Sequence, residues 1–251
     1  MPARTLHSFY LAAFCGLLLI CVPCMAAAQV VGTVSKVQKQ AQVGSTPAAS
    51  GTPVNLNDVV TTGEGARLQI TFRDETSLTL GENARIVVDR YVYNPASSTG
   101  VLSLNASLGA FRFATGKISE MTNKQVTVTT PAATLGVRGT DFWSGIVPGY
   151  DTYGVLLISS TGKVDVRNPA GGVTLSKQGE GTDITSSLKD DQPPSPPEIW
   201  TADKMAAALS TTQFGFALLT PNLLPAALLA AAIIAVIQDD DDDKRDLVSP
   251  N

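Results

Sequence analysis

Apolar and polar residues alternate one by one, in short bursts, through much of the chain. In Arg67-Leu68-Gln69-Ile70-Thr71-Phe72, residues Leu68, Ile70 and Phe72 share one face. Leu78 and Leu80 repeat the pattern beyond the turn Arg73-Asp74-Glu75-Thr76. So do Ile86 with Val88, Leu102 with Leu104, Phe111 with Phe113, Val126 with Val128, Val164 with Val166, and Val173 with Leu175. A period of two puts successive side chains on opposite faces of an extended chain, so each burst predicts a half-buried strand. Turn-forming residues separate the bursts: Gly63, Gly81, Asn94-Pro95, Gly116, Gly162 and the run Asn168 to Gly172. No sustained helical period intervenes. The prediction is a single all-β domain of short strands over residues 29–190, built as a sandwich or as a solenoid-like stack.

The pattern then changes. Asp190-Asp191-Gln192-Pro193-Pro194-Ser195-Pro196-Pro197 is rich in proline, which favours an extended, stiff linker over 191–198. Residues 199–237 form a helical apolar segment. Its first part, Glu198 to Ser210, reads as a short helix with Trp200, Met205, Ala208 and Leu209 on the apolar side. Phe214 to Ile237 carries no charge. About 20 apolar residues cross a bilayer, but Pro221 and Pro225 interrupt this run. Two readings stand, a transmembrane anchor over 214–237 and an apolar amphipathic or buried helix. Residues 238–251, with Asp239 to Asp243 and then Lys244-Arg245, form a solvated, disordered acidic tail.

The N-terminus reads as an export signal over 1–28. Arg4 and His7 precede the apolar run Leu11 to Val22, and Ala26-Ala27-Ala28 before Gln29 fits a cleavage site. This reading changes the chemistry available. All 3 cysteines (Cys15, Cys21, Cys24) and the 1 histidine, His7, fall inside the signal. The expected mature chain has no disulfide, no Cys/His metal site and no Ser–His or Cys–His pair. Acidic residues outnumber basic ones 22 to 18, largely through the tail. Nothing marks a nucleic-acid-binding surface. Asp74 and Glu75 are the one notable carboxylate pair in the domain. Adjacent at a turn, they are expected to point apart and face water, not across a cleft. No catalytic, cofactor-binding or metal-binding residues, no cofactor and no small-molecule substrate are expected.

The segment Thr130-Pro131-Ala132-Ala133-Thr134-Leu135-Gly136-Val137-Arg138-Gly139-Thr140-Asp141-Phe142 stands out. It predicts a tight turn with one charge held in its bend. Gly136 and Gly139 would supply backbone freedom beside Arg138. The guanidinium either reaches back to backbone carbonyls or to Asp141, or is presented to a partner carboxylate. Thr130, Pro131, Gly136, Val137, Arg138, Gly139, Thr140 and Phe142 are the candidate interaction residues. Phe142, Trp143, Phe111 and Phe113 are expected in or beside the core. Tyr91, Tyr93, Tyr150 and Tyr153 lie on segments of mixed polarity and are candidates for an interface rim.

The pattern TP.A..GVRGT.F, with Val59-Val60-Thr61-Thr62-Gly63 and the strands at Arg67–Phe72 and Leu78–Leu80, resembles the FecR-type periplasmic domain. The resemblance covers about Gly32 to Gly179. It implies an all-β fold with solenoid-like coils, and a role in receiving a signal by contact with another envelope protein. In regulators of this family a cytoplasmic anti-sigma region precedes the domain. Here a leader stands in that place, so a direct anti-sigma role is not expected. Glu75 occupies a position where the family often has Gly, which predicts a different turn type because Glu disfavours positive φ.

The expected function is therefore non-enzymatic: an exported domain, periplasmic or elsewhere in the cell envelope, acting by protein–protein contact in signalling or regulation. The apolar segment would tie it to the inner membrane. The alternatives are a structural or surface-assembly component, and a module that binds cell-wall polymer or carbohydrate.

Overall fold

The computed structural model describes residues 29–150, 152–184 and 192–215. The expected export signal, the charge-free run beyond Gly215 and the acidic tail lie outside them. The chain passes through β1 (Val30–Gln38), β2 (Ala41–Val43), β3 (Thr46–Pro47), β4 (Pro53–Asn55), β5 (Val59–Thr62), β6 (Arg67–Phe72), β7 (Ser77–Leu80), β8 (Arg85–Asn94) and β9 (Thr99–Leu108). It continues through β10 (Phe111–Ala114), β11 (Asn123–Thr129), β12 (Thr134–Arg138), β13 (Asp141–Ile146), β14 (Tyr153–Leu157), β15 (Lys163–Asn168), β16 (Gly171–Leu175), β17 (Glu180–Ile184) and β18 (Glu198–Ile199). The described helix, α1, spans Ala202–Ser210.

The strands form two nine-stranded sheets. One has the order β18-β17-β14-β13-β10-β7-β6-β1-β4, the other β16-β15-β12-β11-β9-β8-β5-β2-β3. The chain crosses from sheet to sheet every one or two strands, and from β4 onward each crossing moves it further along both. The result is a sandwich wound like a flattened solenoid, which unites the two expected architectures. Neighbours pair antiparallel except β9 with β11, which run parallel from Asn123↔Thr99 to Thr129↔Asn105.

The alternating residues explain the packing. Leu68, Ile70, Phe72, Leu78, Leu80, Phe111, Phe113 and Phe142 from the first sheet meet Ile86, Val88, Leu102, Leu104, Val128, Leu135, Val164 and Val166 from the second in one buried core. Phe142 is central, edge-on to Phe111 with ring centroids 5.9 Å apart and tilted against Phe113 at 5.6 Å. Each such side chain contributes about 1.5–3 kcal/mol by leaving water.

The β6–β7 turn departs from expectation. Glu75 adopts φ +67°, the left-handed conformation a Glu was expected to avoid. Backbone bonds hold it there: Glu75 N–H donates to Phe72 O (3.0 Å) and Phe72 N–H to Thr76 O (2.9 Å). The Glu75 carboxylate also pairs with Lys117. Asp74, expected to face water, is fully buried. Its Oδ2 accepts from Thr76 Oγ1 at 2.5 Å and its Oδ1 from the Tyr91 hydroxyl at 3.0 Å. Tyr91 lies on β8, so this carboxylate ties the two sheets together. Burial first, and then the adjacent Asp74 charge, push the Tyr91 phenol above its ordinary range. Tyr153 is buried as well, which leaves Tyr93 half-buried and Tyr150 exposed.

A second cluster lies on the outer face of the first sheet. Ala110, Trp143, Val147, Leu156 and Ile158 are covered there by Trp200, Ala208 and Leu209. Residues 192–197 lead to this cover along β17. Ser195 N–H donates to Asp183 O (2.9 Å), Asp183 N–H to Ser195 Oγ (2.9 Å), and Thr182 Oγ1 to Ser195 O (2.7 Å). Thr201 caps α1, its side chain accepting from Lys204 N–H at 3.3 Å.

Candidate functional site

The Thr130–Phe142 segment is a hairpin followed by a crossing between sheets. Thr130 closes the hairpin, with its N–H and Oγ1 both donating to Ala133 O (2.9 and 2.8 Å). Ala133 N–H returns a bond to Thr130 Oγ1 at 3.0 Å. Pro131 is exposed at the hairpin tip, and Val137 points into the core. Gly139 makes the crossing with φ +62°, as expected. Gly136 does not share that role. It sits inside β12, and a Cβ there would meet Asp165 Cβ at an ordinary 3.6 Å. Thr140 is buried, with its carbonyl accepting from Thr115 N–H (3.1 Å) and Thr115 Oγ1 (2.9 Å).

Arg138 takes a different partner from the one anticipated. Its Nη2 lies 3.1 Å from Asp165 Oδ2 on β15, and its side chain is 71% exposed. Asp141 is engaged instead by Arg112. Arg112 Nε donates to Oδ1 at 3.1 Å and to Oδ2 at 3.2 Å, while Nη2 donates to Oδ2 at 2.6 Å. This fork lies across β10 and β13 with each side chain 20% exposed, where a planar guanidinium matches a carboxylate edge to edge.

The fork lies in a groove of about 480 Å³ on the outer face of the first sheet. Gln69, Ser77 and Thr79 line it from β6 and β7, and Gly139 and Thr140 from the crossing. Ile158, Ser159, Ser160, Thr161 and Gln178 add a rim from two loops. Gln69 Nε2 donates to Ser77 Oγ at 3.0 Å, so part of the lining is pre-ordered. The groove is rich in hydroxyl and amide groups, and among the described residues its charged lining is Arg112 with Asp141. It can offer hydrogen bonds in both directions to an uncharged polar surface. Among the described residues it holds no nucleophile beside a base, and no cluster of three or more acidic, His or Cys side chains that could hold a metal ion.

Of the candidate interaction residues, Gly139 and Thr140 border the groove. Arg138 and Pro131 are exposed elsewhere, and Thr130, Val137 and Phe142 are buried. Sequence reasoning missed Arg112. The signal was present, since Phe111-Arg112-Phe113 alternates and two core Phe must turn Arg112 outward. What was absent was any sign that Asp141 would arrive from the next strand.

Residues 58–164 match the family model described as FecR protein. This stretch is similar to the FecR domain. The match opens just before β5 and closes within β15, and it includes the whole crossing segment and the Arg112–Asp141 fork. Strands β1–β4 and everything from β16 to α1 lie outside it. No curated protein matches the chain. Two crystal structures, each described as a candidate anti-sigma factor from Parabacteroides distasonis, are similar in fold. One is 17% identical, covers 66% of this chain and 79% of its own, and has a TM-score of 0.42. The other is 19% identical, covers 56% of this chain and has a TM-score of 0.41; this chain spans 60% of its length.

Proposed function

We propose that the protein is a non-enzymatic regulatory module of the cell envelope, which works through contact between its FecR domain and another protein. The match of residues 58–164 to the FecR family carries this reading. The outer-face groove is its contact surface. A hydroxyl- and amide-rich channel suits the polar main chain and side chains of a protein segment. The leader-like run 1–28 supports a position outside the cytoplasm, and the charge-free run 214–237 supports attachment to the inner membrane.

Site-directed photo-cross-linking in the native cells tests the contact. A photo-reactive residue at Gln69 or Thr161 gives one discrete adduct with an envelope protein, and one at Gln125, on the opposite sheet, gives none. Equal labelling at all three positions, or none at the groove, defeats the groove as the contact surface. Alkaline carbonate extraction tests the anchor, which is lost if the protein passes into the supernatant.

A further inference from the structure

We propose that residues 192–215 form a releasable strap, which lifts from the outer face as a unit while the two-sheet sandwich stays intact. Its apolar cluster is separate from the inter-sheet core, and no strap residue belongs to that core. Removing it takes the two-residue β18 from the edge of β17 and leaves every other strand pairing in place. The FecR match also ends before it begins.

The strap is fitted but weakly fastened. Trp200 enters a socket floored by glycines. A Cβ on Gly154 would lie 2.5 Å from Trp200 Cη2, and one on Gly181 would overlap the indole ring outright. Lys204 lies 4.2 Å from the Trp200 ring centroid and pairs with Asp183 at 2.5 Å. Trp143 Nε1 donates to Thr211 Oγ1 at 2.9 Å. Against these holds stand three weaknesses. Strand β18 pairs with β17 over Glu180↔Ile199 and Gly181↔Glu198 alone, and ahead of it residues 192–197 hydrogen-bond to β17 through the single residue Ser195. Helix α1 has nine residues, too few to stay helical without support. The Trp200 indole N–H is buried without a hydrogen-bond partner, and opening returns it to water.

Release has two consequences. It exposes Trp143 and Leu156 beside the groove, with which this cluster shares Ile158. It also frees the chain that continues past Gly215 from the sandwich. The strap is thus a mechanical link between the domain and its C-terminal continuation, and its opening requires no occupant in the groove.

The chain carries its own reporters, because its 2 tryptophans, Trp143 and Trp200, face each other in this cluster with centroids 6.4 Å apart. The full-length protein is titrated with urea while indole emission and far-UV circular dichroism are followed together. The expected result is a red shift of emission at a lower urea concentration than the loss of β signal. Hydrogen exchange in native buffer gives a second reading. Amides of 200–212 exchange about tenfold faster than those of β9 and β11, and Lys204→Ala speeds the strap amides alone by about another tenfold. Coincident transitions, with strap and sandwich amides exchanging in one common step, overturn the proposal. The wild-type comparison decides the matter even if the variant does not fold. Because both readings are made on the isolated protein, failure of the strap leaves the groove to be judged by cross-linking.

Discussion

The inter-sheet core and the outer cluster are both apolar, yet they are built differently. In the core, most strands contribute by simple alternation, and residues from both sheets interlock along the sandwich. The outer cluster draws on part of one sheet and depends on a cover from far along the chain, Trp200 to Leu209. The face it occupies changes character along a cross-strand row. Gln69, Thr79 and Arg112 give way in register to Trp143 and Leu156. The polar stretch is left as the groove and the apolar stretch is covered by the strap. A half-polar sheet face can therefore serve as a contact surface at one end and as a docking site for its own chain at the other.

The sharpest way to break the comparison is to place a charge in the shared core. Ile70→Asp should cost about 4 kcal/mol or more and leave no cooperative melt by circular dichroism, since a buried unpaired carboxylate has nothing to offset its lost hydration. If the variant melted like the wild type, the inward assignment of that face would be wrong. Asp74→Ala should come next, at about 2–4 kcal/mol in urea unfolding, because the hydroxyls of Tyr91 and Thr76 lose their buried acceptor.

Gly181→Ala probes the other region. Crowding Trp200 should cost about 1–3 kcal/mol, confined to the strap. Indole emission should shift to the red while the β-sheet melting temperature holds. A matching fall in both would mean that the two clusters form one cooperative unit.

Alkaline titration separates the regions by a smaller effect. The Tyr91 phenol is raised in the fold above its ordinary 10.0, so the stability linked to it is complete below that pH. Above it the unfolded chain ionises first, and stability falls as pH rises, by about 1 kcal/mol per pH unit. Melting temperatures measured between pH 9 and pH 11 should fall less steeply in Tyr91→Phe. The smallest effect is expected at Arg138. Its pair with Asp165 is largely in water, so Arg138→Lys should change stability by less than about 0.5 kcal/mol. A loss several times larger would show that this cation bears on the crossing itself.

How much could be read beforehand differs between fold and site. The strands around Leu68, Phe111, Val126 and Val164 were legible because alternation is a local signal. The short helix after the prolines was legible in part, with Met205 and Leu209 on its apolar side, but it begins at Ala202 because Glu198 and Ile199 pair as β18 with β17. Groove and fork were not, because Arg112 and Asp141 are 29 positions apart and meet only through the pairing of β10 with β13. Asp74 misled in the same way. A carboxylate in a turn ordinarily faces water; Tyr91, brought in from the opposite sheet, joins Thr76 in giving it a reason to be buried.

The order of residues by itself determined that this polypeptide would form short strands, and which edge of each would seek shelter from water, because alternation acts between neighbours. Only the tertiary structure decided which sheet each strand would join, which carboxylate each arginine would meet, and that a face bearing Trp143 would be covered instead of left to solvent. Those outcomes depend on segments remote in sequence arriving at one place, and a pattern of period two carries no information about who arrives.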